Sequence, residues 1–127
     1  MMKQYVLGGV LAISALFASQ WGVAASLETN MHTLATGYKS FSDSANPQQA
    51  TNALNQMRAA AVDSKKFVPT YLKKDPQKAK TYQAGFDDLI TEIDKTNALV
   101  KAGKLAQAKQ EGKKLLDIRD SNHQKFR

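Results

Sequence analysis

Two side chains that bind transition metals stand near opposite ends of the sequence. Met31 carries a thioether, and His123 carries an imidazole close to the C-terminus. A methionine sulfur and a histidine nitrogen together form one of the known axial ligand pairs of haem iron. Because Met31 and His123 are far apart in sequence, they bind one iron only if the fold brings the two ends of the chain together.

The first 25 residues are typical of a secretory signal peptide. Lys3 supplies a positive charge, an almost unbroken apolar run covers residues 5–18, and small residues offer cleavage near Ala24 to Ser26. The apolar run is short for a membrane span, and no later stretch is continuously apolar. We therefore expect an exported, periplasmic protein without membrane insertion, whose mature part is the single domain 26–127.

The mature chain is basic and has no cysteine. Removal of Lys3 leaves 17 Lys and Arg against 11 Asp and Glu, so the formal net charge falls from +7 to +6. The cations are scattered, in pairs such as Lys73-Lys74, and this is typical of solvated helices and loops rather than of a nucleic-acid-binding face. The absence of cysteine excludes disulfides, thiolate metal sites and haem attachment through Cys-x-x-Cys-His. We expect a monomer.

Apolar residues at alternating spacings of three and four divide the mature chain into four helical segments. Asn46-Pro47 and Asp75-Pro76 are typical helix starts, while Pro69 and Gly103 are typical stops. The predicted helices run from Leu27 to Ser44, from Pro47 to Pro69, from Pro76 to Gly103 and from Lys104 to Phe126. This pattern predicts an all-α fold, as an antiparallel up-down-up-down four-helix bundle. The alternative is a pair of helical hairpins that dimerises to complete its core.

In such a bundle the beginning of the first helix and the end of the fourth lie at the same end. Met31 and His123 each lie about four residues, or roughly 6 Å, from that end. Apolar groups from the connection between the second and third helices and from the third helix are expected to wall a flat cofactor, and two arginines are expected to neutralise its acidic groups. These residues are Phe67, Val68, Pro69, Tyr71, Tyr82 and Phe86, with Arg119 and Arg127.

Four short stretches of the sequence resemble the cytochrome b562 family of periplasmic haem proteins. They are Leu27–Met31, Met57–Ala61, Gly85–Asp87 and the stretch from Arg119 through His123 to Arg127. Cytochrome b562 is itself an example of the up-down-up-down bundle. The stretches occur in order along the whole mature chain, with one candidate ligand in the first and one in the last.

The resemblance implies an electron-transfer protein, not an enzyme. It implies one non-covalent haem b with axial ligands Met31 and His123, whose iron cycles between Fe(II) and Fe(III), and redox partner proteins that the sequence does not identify. It also implies that Arg119 is a cation near the haem edge and that the pocket wall consists of Leu34, Met57, Pro69 and Phe86.

Each candidate ligand also has a structural interpretation. A methionine on a helix stripe is more often core filler, and a histidine near a helix C-terminus is more often a solvated cap. His32 is a rival ligand, but it lies one helical step, about 100°, from the stripe of Met31. The alternative function is a haem-free periplasmic helical adaptor that uses its basic surface to dock acidic partners.

Overall fold

A computed structural model describes residues 26–126, and every regular element in that range is helical. The prediction of an all-α fold is therefore confirmed. The predicted signal peptide and Arg127 lie outside the described residues. The helices are α1 Leu27–Ser42, α2 Pro47–Lys66, α3 Thr70–Lys73, α4 Pro76–Lys101 and α5 Leu105–Phe126. Within the described residues, none of these helices has both the length and the apolar character that a membrane span requires.

The starts of α2 and α4 follow from their capping residues. The side chain of Asn46 accepts a hydrogen bond from the backbone N–H of Gln49 at 2.9 Å. The carboxylate of Asp75 accepts hydrogen bonds from the N–H groups of Gln77 at 3.1 Å and Lys78 at 3.3 Å. A proline occupies the first position of each helix, where no N–H donor is needed. Both predicted helix starts are confirmed.

The end of α1 and the connection after α2 differ from the sequence prediction. Helix α1 ends at Ser42 rather than Ser44, because the Ser44 hydroxyl donates a 2.6 Å hydrogen bond to the carbonyl of Phe41 and turns the chain. Helix α2 ends at Lys66, and the connection after it, predicted to be a loop, contains the short helix α3. Leu72 of α3 is 3% exposed, so burial of this one side chain holds the extra turn against the core.

The four long helices share one hydrophobic core. Helix α1 packs against α2, α2 against α4, and α4 against α5. Phe41, Leu54, Ile93 and Val100 lie in this core and are at most 2% exposed. Helix α5 approaches α1 closely at Gly112, where an added Cβ would lie 2.5 Å from Cε2 of Phe41.

Two hydrogen bonds between helix ends define the region that contains the candidate site. Nδ2 of Asn30, in the first turn of α1, donates to Asp63 in the last turn of α2 at 2.9 Å. Nδ2 of Asn122, near the end of α5, contacts the carbonyl of Gly85 in α4 at 3.4 Å. Each bond lies next to one of the two predicted ligands in sequence.

Candidate functional site

A cavity of about 670 Å³ is lined by residues of α1, α2, α4 and α5 and of the connection between α2 and α4. Its volume falls within the range of about 300–1,000 Å³ that is usual for small-molecule sites. Most of the lining side chains are apolar. The two candidate ligands and the pocket residues that the family resemblance implies line this one cavity, namely Met31, Leu34, Met57, Pro69, Phe86, Arg119 and His123. Arg127 lies outside the described residues.

The cavity brings together the two candidate ligands from opposite ends of the chain. Met31 is half-buried in α1, and His123 is exposed in the last turn of α5. The hydrogen bonds of Asn30 and Asn122 anchor the residues directly beside them. His32 is exposed and does not line the cavity, in agreement with its predicted position off the core stripe.

Tyr82 holds one aromatic wall of the cavity in place. Its ring is 5% exposed and meets Phe86 edge-on, with ring centroids 5.1 Å apart. Its hydroxyl donates a hydrogen bond to the carbonyl of Phe67 at 3.0 Å and also lies 3.1 Å from the carbonyl of Ser64. Burial, with a smaller effect of Tyr71, raises the pKa of Tyr82 to about 12. Tyr82 therefore stays neutral and keeps donating this hydrogen bond throughout the physiological pH range.

Met57 forms part of both the core and the cavity wall. It is 2% exposed and belongs to the main hydrophobic cluster. Gly37 makes room for it, because a Cβ on Gly37 would lie 2.6 Å from Cγ of Met57. Packing holds Met57 in place, which suits a wall residue better than a ligand that must reach towards an iron.

Arg119 lies at the cavity with a counter-ion already bound. Its guanidinium is half-exposed and contacts Oδ1 of Asp120 at 2.8 and 3.0 Å, and both residues line the cavity. An acidic group at this edge would meet a cation that is shared with Asp120. The position of Arg119 at the cavity was predicted from the sequence, but its ion pair with Asp120 was not.

The structure also corrects part of the predicted wall. Phe67 and Val68 are not among the lining residues, because the carbonyl of Phe67 is held by Tyr82 at the edge of α2. Additional apolar side chains from α1 and α5 take their place. They are Leu27, Ala35, Tyr38, Leu115, Leu116 and Ile118. Asn122 and Asp120 are polar lining residues for which the apolar pattern offered no signal.

The residues of the cavity fit a haem. A porphyrin requires apolar walls over its faces, and its iron takes an axial donor on each side. The cavity offers a thioether from α1 and an imidazole from α5 within otherwise mostly apolar surroundings. A sulfur and nitrogen donor pair of this kind matches the ligand preferences of iron in electron-transfer haems.

Comparison with known proteins gives a consistent result. The family model for cytochrome b562 matches residues 26–127. A probable soluble cytochrome b562 of Yersinia pestis is 36% identical over 121 residues, which cover 93% of this chain and 94% of that protein. A second probable soluble cytochrome b562 of Yersinia pestis is 32% identical, with full coverage of both chains. An uncharacterised protein of Pasteurella multocida (strain Pm70) is 28% identical over 84% of this chain and 85% of its own length.

Proposed function

The chain belongs to the cytochrome b562 family, and from that membership we propose that it is a periplasmic electron-transfer protein that binds one non-covalent haem b. We assign Met31 and His123 as the axial ligands. The observation that carries the assignment is the single cavity lined by both side chains. Leu34, Met57 and Phe86 line the same cavity and would cover the faces of the porphyrin.

The same proposal includes the arrangement of the helices and the export of the protein. The contacts of Asn30 with Asp63 and of Asn122 with Gly85 support an antiparallel up-down-up-down order of the four long helices. Residues 1–25 have the composition of a signal peptide that is cleaved near Ala24 to Ser26, which supports a periplasmic location.

The chain's own residues determine what the site does. When bound, the haem supplies an iron that exchanges one electron between Fe(II) and Fe(III). As a ligand, the polarizable thioether of Met31 would favour the ferrous state, and His123 would bind through a neutral imidazole nitrogen. Tyr82 and Phe86 keep water from the apolar wall. If Met31 and His123 both held the iron, no coordination position would remain for a substrate, and this favours electron transfer over catalysis.

The test is an absorption spectrum of the purified exported protein in both oxidation states, combined with thermal melting with and without added haem. We expect a low-spin Soret band, sharp α and β bands on reduction, and a higher melting temperature at saturating haem, because a ligand that binds the native state stabilises it. If the protein showed only free-haem absorbance and an unchanged melting temperature, the haem-free adaptor would be the better interpretation.

A further inference from the structure

Six of the lysines that appear scattered in the sequence lie in one stretch of chain beside the cavity. Residues 64–82 contain six lysines and a single acidic residue, Asp75. This stretch covers the end of α2, all of α3 and the beginning of α4. It therefore carries most of the excess positive charge of the mature chain on one short part of the surface.

Five of these lysines are exposed and have no counter-ion within the described part of the chain. They are Lys66, Lys73, Lys74, Lys78 and Lys80, and none of them takes part in an ion pair between residues 26 and 126. We call the first four of these residues, Lys66, Lys73, Lys74 and Lys78, the basic strip.

The acidic side chains near the basic strip already have partners. Asp75 caps the N-terminus of α4, and Asp87 binds Lys65 at 2.7 Å. Asp63 accepts the hydrogen bond of Asn30. The positive charge of the basic strip is therefore left to act on other molecules.

Tyr71 connects the basic strip to the cavity. It lines the cavity, yet it is 62% exposed, so it lies at the rim. It precedes Lys73 and Lys74 within the same short segment of chain. Lys78 precedes the cavity residue Tyr82 by four positions on α4 and so lies on the same helix face, one turn nearer the end. Tyrosine at the centre of a charged rim is typical of side chains that anchor protein interfaces.

We propose that Tyr71 and the basic strip form the docking surface for an acidic one-electron redox protein, an inference that rests on the proposed function. Complementary charge accelerates encounter and orients the partner, which suits the small and short-lived interfaces of electron transfer. The partner binds where an aromatic side chain connects the surface to the cavity. A lipid surface is less well matched, because stable membrane attachment needs buried apolar area in addition to charge, and Tyr71 is the one large apolar side chain strongly exposed between residues 26 and 125.

The test uses two charge-reversal variants with the same change in net charge. Lys73→Glu/Lys74→Glu alters the basic strip, and Lys101→Glu/Lys104→Glu alters exposed lysines beyond the other end of α4, about 39 Å away along that helix. The probe is a reduced, acidic plant-type [2Fe–2S] ferredoxin, which donates one electron to the ferric haem of each protein. Its potential of about −400 mV makes the transfer favourable.

We expect the basic-strip variant to lower the second-order rate constant at least about 10-fold at low salt, and the control variant to change it less than about 2-fold. The difference between the rate constants of the two variants should disappear at about 0.5 M salt, where screening shortens the distance over which charges interact. Equal slowing of the two variants would overturn the proposal, since it would mean that only net charge matters.

A second measurement separates docking from electron transfer. Amide chemical shifts of the protein are recorded during titration with the oxidised ferredoxin, a readout that requires no electron to move. Shifts that cluster at residues 66–78 support the docking surface even if no electron is transferred, an outcome that would contradict the proposed function alone. Shifts spread evenly over the protein would overturn the docking surface.

A third measurement tests the lipid surface directly. Vesicles of phosphatidylcholine with about 30% phosphatidylglycerol are sedimented with each protein at physiological salt. No co-sedimentation supports the proposal. If the wild-type protein co-sedimented, the basic-strip variant did not, and the two reacted equally fast with ferredoxin, the basic strip would be a lipid-binding surface and the proposal would be wrong.

Discussion

The side-chain amide of Asn30 donates a 2.9 Å hydrogen bond to the carboxylate of Asp63, and this bond joins the first turn of α1 to the last turn of α2. Asn30 is 6% exposed, and Met31 follows it directly. The bond therefore fixes the turn of α1 that carries one candidate ligand.

Asn30→Ala should destabilise the protein by about 1–3 kcal/mol, because it leaves the partly buried Asp63 without its partner. The free energy of unfolding from urea titration checks this value. Ser64→Ala is the matched control. The hydroxyl of Ser64 is fully buried and has no hydrogen-bond partner among residues 26–126, so its removal should be neutral or stabilising. Equal losses in the two variants would contradict the role assigned to the bond.

Substitution of the two candidate ligands should have different effects. His123→Ala should reduce haem affinity by more than about 100-fold. Loss of a side chain that only hydrogen-bonds to a metal ligand already lowers metal affinity by about 10–100-fold, and loss of the ligand itself should have a larger effect. Met31→Ala should leave a weakly held or high-spin haem. Haem titration followed by absorption spectroscopy measures both effects.

The chain offers matched controls for the ligand variants. His32→Ala removes the neighbouring exposed histidine, and Met57→Leu keeps the volume of a buried methionine. Both should keep the low-spin spectrum. Unchanged spectra in the Met31 and His123 variants would show that other side chains bind the iron.

Gly112→Ala should destabilise the protein even though alanine favours helix formation by about 1 kcal/mol. The new methyl group would lie 2.5 Å from Cε2 of the fully buried Phe41, and overpacking of a core typically costs about 1–3 kcal/mol. In a Phe41→Leu background, the same substitution should cost less because the clash is removed. A gain in thermal stability for Gly112→Ala alone would refute the close approach of α5 to α1.

Glu92 should make the stability of the protein depend on pH. Burial is the largest cause and Glu111 the next in raising the pKa of Glu92 from 4.5 to about 7. Between these pH values the folded protein binds more protons than the unfolded chain. The contribution of Glu92 to the free energy of unfolding is therefore fully present below pH 4.5 and is lost as the pH rises through 7. Contact with Glu92 lowers the pKa of Glu111. The contribution of Glu111 to stability is therefore present above pH 4.5 and is lost only as the pH falls below that value.

Glu92→Gln imitates the protonated side chain and should remove the loss of stability between pH 5 and about 8. Urea midpoints of both proteins across this range measure the difference. Parallel curves for the wild type and the variant would mean that Glu92 ionises in the folded protein as it does in the unfolded chain.

The local pattern, together with the family resemblance, was enough to predict the four long helices and half of the residues that line the cavity. Asn46 and Asp75 start their helices because each cap acts on N–H groups within three residues of it. Gly103 adopts a φ of 79°, the left-handed conformation expected after α4. The stripe that contains Met31 follows from the helical repeat, so its assignment to an inner face needed no tertiary information.

Contacts between distant parts of the chain could not be predicted in the same way. The hydrogen bond of Tyr82 to Phe67 and the burial of Leu72 depend on side-chain rotamers and on the path of a connection that has no periodicity. Phe67 was therefore predicted to line the cavity, where the structure has other residues.

The sequence by itself determined that the chain is helical, where α2 and α4 begin, and that a thioether and an imidazole stand near its two ends, because these features follow from backbone propensity and residue type. Only the tertiary structure decided that Met31 and His123 line one cavity and that separate lysines flank it beside Tyr71. The physical reason is that proximity between residues far apart in sequence arises from the packing of helices around a shared core, which depends on all of their faces at once.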